Sequence, residues 1–534
     1  MKRLMSMLAL VPGLLFGAGA AQAQIEALGS TDFETSGAPE AHQAFLRGLL
    51  LLHSFEYEDA AEAFREAERL EPDFAMAYWG EAMTYNHPLW AQQDRDAARE
   101  ALGRLAPTPE ARAEKAPTAR EQAYLRAVEI LYGEGDKRSR DFAYAEAMRR
   151  LHEAYPDDLD AAAFYALAIL GTSHDGRDFR TYMRAAAVAE EVFARNPNHP
   201  GAAHYLIHSF DDPIHAPLGL RAARAYSKIA PAAAHALHMP SHIFLALGMW
   251  DDVTAMNEAS WDAAYARAAR KNLPVDARNY HALWWLDYGY LQQGRYEDAR
   301  RTLAVMKEDT QASGSRRTRT HLARMRAHHI VEMRQWNGDA AALVVDVSGL
   351  GLSTVAGDRF ATGMSAVGRG DLAAARAVLA EMRAARERRP ETEGYARGAH
   401  AADVMEYELA ALIRKAEGQT DEALALMDRA TAEEDAMPFD FGPPDVVKPS
   451  HELYGEILLA ADRPEAARAQ FETSLDRTPR RALSLLGLAR AAEAMADAEA
   501  AERAYRDLAR VWRRADEGVF ERASVKRMEP VGDR

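Results

Sequence analysis

No cysteine occurs among the 534 residues. That absence excludes disulfides, thiolate metal ligands, a cysteine nucleophile and a lipoprotein anchor. Stability must come from packing, and any metal site must be built from nitrogen and oxygen donors. Phosphate loops are missing as well: the chain has no G-x-x-x-x-G-K-[ST], no dinucleotide fingerprint behind a strand, no H-E-x-x-H and no G-x-S-x-G. The Gly-rich stretch "GLGLSTVAGDRF" has no strand beside it and reads as an inter-helix turn. Strand alternation is scarce. "ALVVDVS" at 342–348 is the one candidate, and it reads better as the end of a helix. Positive charge is not in excess. The formal net charge of −16 argues against nucleic acid as a partner, because phosphate binding needs a basic stripe. Beyond the N-terminus no run is apolar enough to span a bilayer.

What is present begins with an export signature. Lys2 and Arg3 precede an apolar stretch, Leu4 to Ala20, broken at Pro12-Gly13, and Ala21-Gln22-Ala23 is a small-x-small cleavage site. Residues 1–23 are therefore expected to be a signal peptide cleaved after Ala23, giving a periplasmic or secreted bacterial protein. A membrane anchor is the alternative. The chain as a whole is 48% hydrophobic and 27% charged with both signs mixed, which suits a folded protein with solvated helix faces.

A unit recurs along the chain: helix, short turn, aromatic or apolar residue, Ala-rich helix, proline. Phe55-Glu56-Tyr57 leads to Ala60, Phe64, Ala67 and Pro72; Leu247-Gly248-Met249-Trp250 leads to Val253. Gln293-Gly294-Arg295-Tyr296 leads to Ala299, Arg369-Gly370-Asp371 to Ala374, Glu417-Gly418-Gln419 to Ala423, and Arg463-Pro464 to Ala467 and Phe471. Pro197 and Pro231 lie 34 residues apart. The pattern resembles the tetratricopeptide repeat (TPR) family, whose unit is a helix–turn–helix of about 34 residues. The resemblance implies an all-α solenoid, a right-handed superhelix of roughly eleven or twelve helix pairs, whose concave groove takes a peptide, a protein or a small molecule. The expected organisation is a linker at 24–40, a first array at 41–345, a second at 346–516 and a tail at 517–534. Residues 86–116, with Pro88, Pro107 and Pro109 inside them and Pro117 just beyond, are expected to be irregular, and 434–449, "EDAMPFDFGPPDVVKP", to be a long loop.

The repeat serves as a ruler for the histidines. Seven of 18 fall between 199 and 242, far above an even spread. His204 and His208 follow Pro197 by the same steps as His238 and His242 follow Pro231. Each pair is spaced i, i+4, so its rings share a helix face. That face is not the one carrying Ala203, Leu206 and Ile207, and the resemblance turns it towards the groove. Aligned on the turns, His281 takes the phase of His235, Trp284 and Tyr288 take those of His238 and His242, and His321 and His328 follow more loosely. Asp211 lies three residues after His208. Pro240 is expected to kink the second helix between its two histidines.

Imidazoles in this pattern point to zinc, copper, nickel or iron. His204, His208, His238 and His242 are the expected ligands of one ion, and His235, His281, Trp284 and Tyr288 the expected lining of the ligand groove. The alternative is that the rings are hydrogen-bond partners between helices. In the C-terminal half Glu452 and Glu456 occupy the phases of His238 and His242, beside Lys448 and His451. With Asp211 they are the candidate acids or bases, facing the histidines across a lumen, unless they are ordinary solvated charge. The sequence thus predicts a binding scaffold with a histidine-rich metal site. Its alternatives are a metal-dependent hydrolase or oxidoreductase, and a protein that sequesters metal without catalysis.

Overall fold

The computed structural model describes residues 25–388, 396–439 and 441–519; the expected signal peptide and most of the tail lie outside them. The described chain is helical almost throughout, its strands being the short pair Asn86–His87 and Gln92–Gln93. None of these helices is long and apolar enough to cross a membrane. Two compact units emerge, Met1–Ser209 with Arg224–Leu237, and Phe210–Ala223 with His238–Arg534. The boundary falls inside the stretch expected to form one array.

Seven turns have one construction. The residue closing each lies in the left-handed region: Phe55, Gly248, Gly294, Gly370, Gly418, Asp462 and Ala496. The next residue's N–H reaches back to close the helix, as from Met249 to Phe244, Arg295 to Tyr290 and Arg463 to Leu458. A new helix starts one residue later, at Tyr57, Trp250, Tyr296, Leu372, Thr420, Pro464 and Ala498. This is the Schellman closure, which satisfies the last carbonyls and leaves the chain pointing back along its own helix. It makes the antiparallel pairs the sequence predicts.

Close packing between pairs follows from glycine placed opposite an aromatic ring. A Cβ on Gly48 or Gly80 would meet the Phe64 ring at 2.8 or 2.3 Å, and one on Gly455 or Gly487 would meet Phe471 at 2.8 or 2.2 Å. In the first unit Phe33, Phe45, Trp79 and Tyr124 extend that core. In the second, Val331, Phe360, Met405, Leu409 and Phe471 belong to one cluster and Tyr280, Trp285, Met306 and Met325 to another.

Three local expectations need adjustment. Residues 86–116 are not irregular throughout: after the small hairpin come the helices Arg95–Leu105 and Pro109–Glu114, started by the side chains of Asp94 and Thr108 at their N-caps. "ALVVDVS" ends a helix for only one residue; Asp339–Ala342 stops and Leu343 turns extended. The loop expected from 434 begins at Met437, because the helix Thr420–Ala436 runs on.

Candidate metal centre

Pro240 splits the second histidine helix as its ring requires. Ala234–His238 stops, and Pro240–Ala246 restarts with the proline in its first turn. The break keeps His238 and His242 on one face, with their Nε2 atoms 3.1 Å apart. His281, from the helix Tyr280–Gln292, supplies a third nitrogen, and all three donor atoms lie within 4.8 Å of one another. Tetrahedral zinc with Zn–N bonds near 2.05 Å needs donors about 3.3 Å apart.

The opposite ring nitrogens fix the tautomers. His242 Nδ1 donates to Asp211 Oδ2 at 2.5 Å. His238 Nδ1 lies 2.6 Å from Asn257 Oδ1. Asn257 Nδ2 donates to the Val253 carbonyl, so its Oδ1 is the acceptor and His238 Nδ1 carries the hydrogen. With Nδ1 donating, each ring presents its Nε2 to the other. A proton or a cation between the two Nε2 atoms would satisfy both. Nδ1–H bonded to a carboxylate or amide oxygen is how metal-bound histidines are usually held.

The surroundings are dry and aromatic. Trp285, fully buried, lies 4.3 Å from the His242 ring and 4.9 Å from that of His238, centroid to centroid. Phe441, from the proline-rich loop, lies 5.2 Å from His242. Gly442 follows with φ +99°, and a Cβ there would meet Trp285 at 2.6 Å, so only glycine lets the loop close on the indole. Beside this wall runs a cleft of about 980 Å³, counted with its solvent-open part. Asp211, Asp212, Trp250, Phe439, Phe441 and Arg477 are among its lining residues.

His204 and His208 stand in the first unit on the helix Pro200–Ser209, their Nε2 atoms also 3.1 Å apart. His235 brings a third donor atom within 4.8 Å. The expected exposure of the two pairs on a groove face is overturned. His204 and His238 are 0% exposed, His208 3% and His242 2%, because their helices are covered on the histidine side as well as on the apolar one. Each pair is completed inside its own unit, by His235 in one and His281 in the other. Sequence phase had put these two among the groove-lining residues.

Another group of similar composition is held largely by hydrogen bonds of its own. Asp160 accepts from His53 Nε2 at 2.8 Å and from Thr31, with His199 Nε2 at 3.3 Å. Tyr205 Oη and His53 Nδ1 are 2.9 Å apart, and the Ala202 N–H donates to His199 Nδ1 at 3.2 Å. Both ring nitrogens of His53 are thus paired. Burial pushes the His53 pKa down to about 4, so its ring is neutral.

Glu452 and Glu456 are not solvated helix charge. Glu452 is 0% exposed and is bound by Lys448 at 2.8 Å, Arg481 at 2.7 Å and Ser484 at 2.6 Å. Burial alone would raise its pKa, but Arg481 and Lys448 outweigh it and hold the carboxyl well below the usual range. Glu456 pairs with Lys448 at 2.9 Å and with Arg334. Arg481, itself fully buried, also binds Glu332 at 2.6 Å and Tyr288 Oη at 2.7 Å. So Tyr288 belongs to this ion network, while the Trp284 indole N–H donates to His328 Nδ1 at 3.2 Å. Sequence reasoning missed Asn257, Arg481, His53 and Asp160, none of which sits in a motif.

No family model matches the chain, and no curated protein does. Among solved structures, the chain is similar to one described as an APC/C hetero-tetramer Cut9–Hcn1, at 12% identity over 89% of this chain and 81% of that one, with a TM-score of 0.35. A human IFIT1 dimer with m7Gppp-AAAA is 12% identical over 93% and 94%, with a TM-score of 0.34. A Rap protein complexed with competence and sporulation factor is 13% identical over 74% and 98%, with a TM-score of 0.36. The all-α, paired-helix class rests on the turns and packing described above.

Proposed function

We propose that this chain is an exported helical-repeat binding protein that holds a divalent transition-metal ion at His238, His242 and His281 and receives its ligand in the adjoining cleft. One observation carries the metal: both Nδ1 atoms of His238 and His242 are committed as donors while their Nε2 atoms stand 3.1 Å apart. Asp211 is a positioning residue here. It orients His242 and offsets part of the ion's charge in a buried place. Three imidazoles would suit zinc, copper, nickel or iron. The cleft, lined by both Asp211 and Phe441, is the place for a peptide or small ligand to enter. A metal-dependent hydrolase is the second reading, favoured by the cleft's reaching Asp211, the partner of His242.

The test is metal analysis of protein purified without a histidine tag, followed by cobalt titration of the stripped chain. A stoichiometric ion is expected at this centre. Asp211→Asn should weaken it about 10- to 100-fold, and the half-buried His281→Ala more, with the helical circular dichroism unchanged. A folded chain whose metal uptake is indifferent to both substitutions sinks the reading and leaves His238 and His242 sharing a proton.

A further inference from the structure

The second-unit centre has a repeat address. Counted back from the left-handed residue Gly248, His238 lies at −10 and His242 at −6. His281 lies at −13 from the next one, Gly294. The same three positions converge again one repeat later. Trp284 and Tyr288 stand at −10 and −6 from Gly294, His321 stands at −13 from the left-handed Arg334, and the rings of Trp284 and His321 are 6.4 Å apart. Stacking of one helix pair on the next thus brings position −13 over the preceding −10 and −6. His235, at −13 from Gly248, meets the preceding pair, His204 and His208, by that rule.

We propose that the first unit holds a second transition-metal ion, bound by His204, His208 and His235 independently of the second-unit centre. His204 Nδ1 donates to the backbone carbonyl of His53 at 2.7 Å. A carbonyl only accepts, so His204 Nδ1 carries the hydrogen and its Nε2 lone pair is aimed at His208 Nε2, 3.1 Å away. The His53 carbonyl is held in turn, because the His53 ring is fixed by Asp160 and Tyr205. The His235 backbone N–H is anchored to Glu56 Oε1 at 2.8 Å. These are features of a supported donor set: ligands on helices, the His204 ring fixed from behind and the His235 backbone anchored.

Phe55 adds an independent observation. At the turn position where four repeats use glycine, this bulky residue takes φ +55°. A side chain of that size is rarely tolerated there, and such strain gathers at sites. The strained backbone lays the Phe55 ring 4.2 Å from His204, 5.9 Å from His208 and 5.7 Å from His235. It thus serves as an apolar cover over all three imidazoles. Trp90, 41% exposed, sits 5.8 Å beyond it, and His235 is itself only half-buried, so the rim is the route for loading.

The full-length, tag-free chain is stripped with EDTA and titrated with Co2+, read by its visible absorption, and with Zn2+ by equilibrium dialysis. Two ions per chain are expected. His235→Ala, at the rim, should weaken one of them at least 10-fold and leave the other, with thermal melting reporting that the fold survives. His204→Ala should abolish the same ion. His238→Ala should remove only the second-unit ion. A single ion that survives His238→Ala and is lost in His204→Ala supports this site and overturns the second-unit reading. A single ion indifferent to His235→Ala and His204→Ala overturns this proposal, as does one ion lost to substitution of either pair.

Discussion

A histidine ring has two nitrogens, and what one touches decides what the other can do. His238 and His242 donate through Nδ1 to an amide and a carboxylate oxygen, so each offers Nε2. His53 does the reverse, giving Nε2–H to Asp160 and accepting at Nδ1 from Tyr205. The i, i+4 spacing of the pairs was legible in the sequence. The second nitrogen's partner was not, because it comes from a distant helix. Burial also sets a pH dependence. The His53 pKa is pushed down to about 4 by burial against the pull of Asp160, and that of His328 to about 3 by burial and Arg481. Both rings regain an ordinary pKa near 6.5 when the chain unfolds. Between those values the unfolded chain binds protons that the folded chain refuses, so stability is full above about pH 6.5 and is lost as pH falls towards 4. Urea midpoints in EDTA should therefore lose this contribution between pH 7 and 5, against the opposite pull of Glu68, whose carboxyl burial pushes up to about 8. His328→Phe should flatten that decline, and an unchanged slope in that variant would contradict the assignment.

At the scale of the element, the seven equivalent turns make a controlled series. Glycine occupies the left-handed position in four of them, and Phe55, Asp462 and Ala496 occupy it in the others. A left-handed backbone costs a residue with a Cβ about 1–2 kcal/mol. Ala496 is exposed, so removing its methyl sacrifices no packing. Ala496→Gly should stabilise the chain by about 0.5–1 kcal/mol after the entropy of the added glycine is deducted. Gly248→Ala should do the opposite and by more, since its Cβ would lie 2.2 Å from the Pro479 carbonyl oxygen. Thermal denaturation of the two variants checks both signs. These turns were readable because capping is local. The helix Arg95–Leu105 was not, because the surrounding prolines hid it: they fall outside the helix, at 88 and 107, and leave its Asp94 cap intact.

At the scale of the whole molecule, the second unit is tied together by charge as well as by apolar packing. Arg481 joins Tyr288, Glu332 and Glu452, three side chains from three helices far apart in sequence. Replacing Arg481 leaves the buried Glu332 without its guanidinium and Glu452 with Lys448 as its remaining cation, at a cost of about 3–5 kcal/mol. Arg481→Met should lower the denaturation midpoint accordingly. Adding Glu332→Gln should recover part of the loss, since it removes the stranded charge. Equal destabilisation by the single and double variants would show that the network does not act as a unit.

Taken alone, the sequence determined the helix pairs, the places where they turn back, the absence of thiolate chemistry and the i, i+4 histidine pairs. All of these depend on residues within one or two turns of each other. Only the tertiary structure decided the rest. It buried the four histidines instead of exposing them to a groove. It brought His235 and His281 to the pairs of the preceding repeat, set Asp211 behind His242, and enclosed Glu452 with Arg481 and Lys448. The reason is physical: a ring's burial, its tautomer and its third neighbour are fixed by how one helix pair stacks on the next, and that stacking joins residues which no local pattern links.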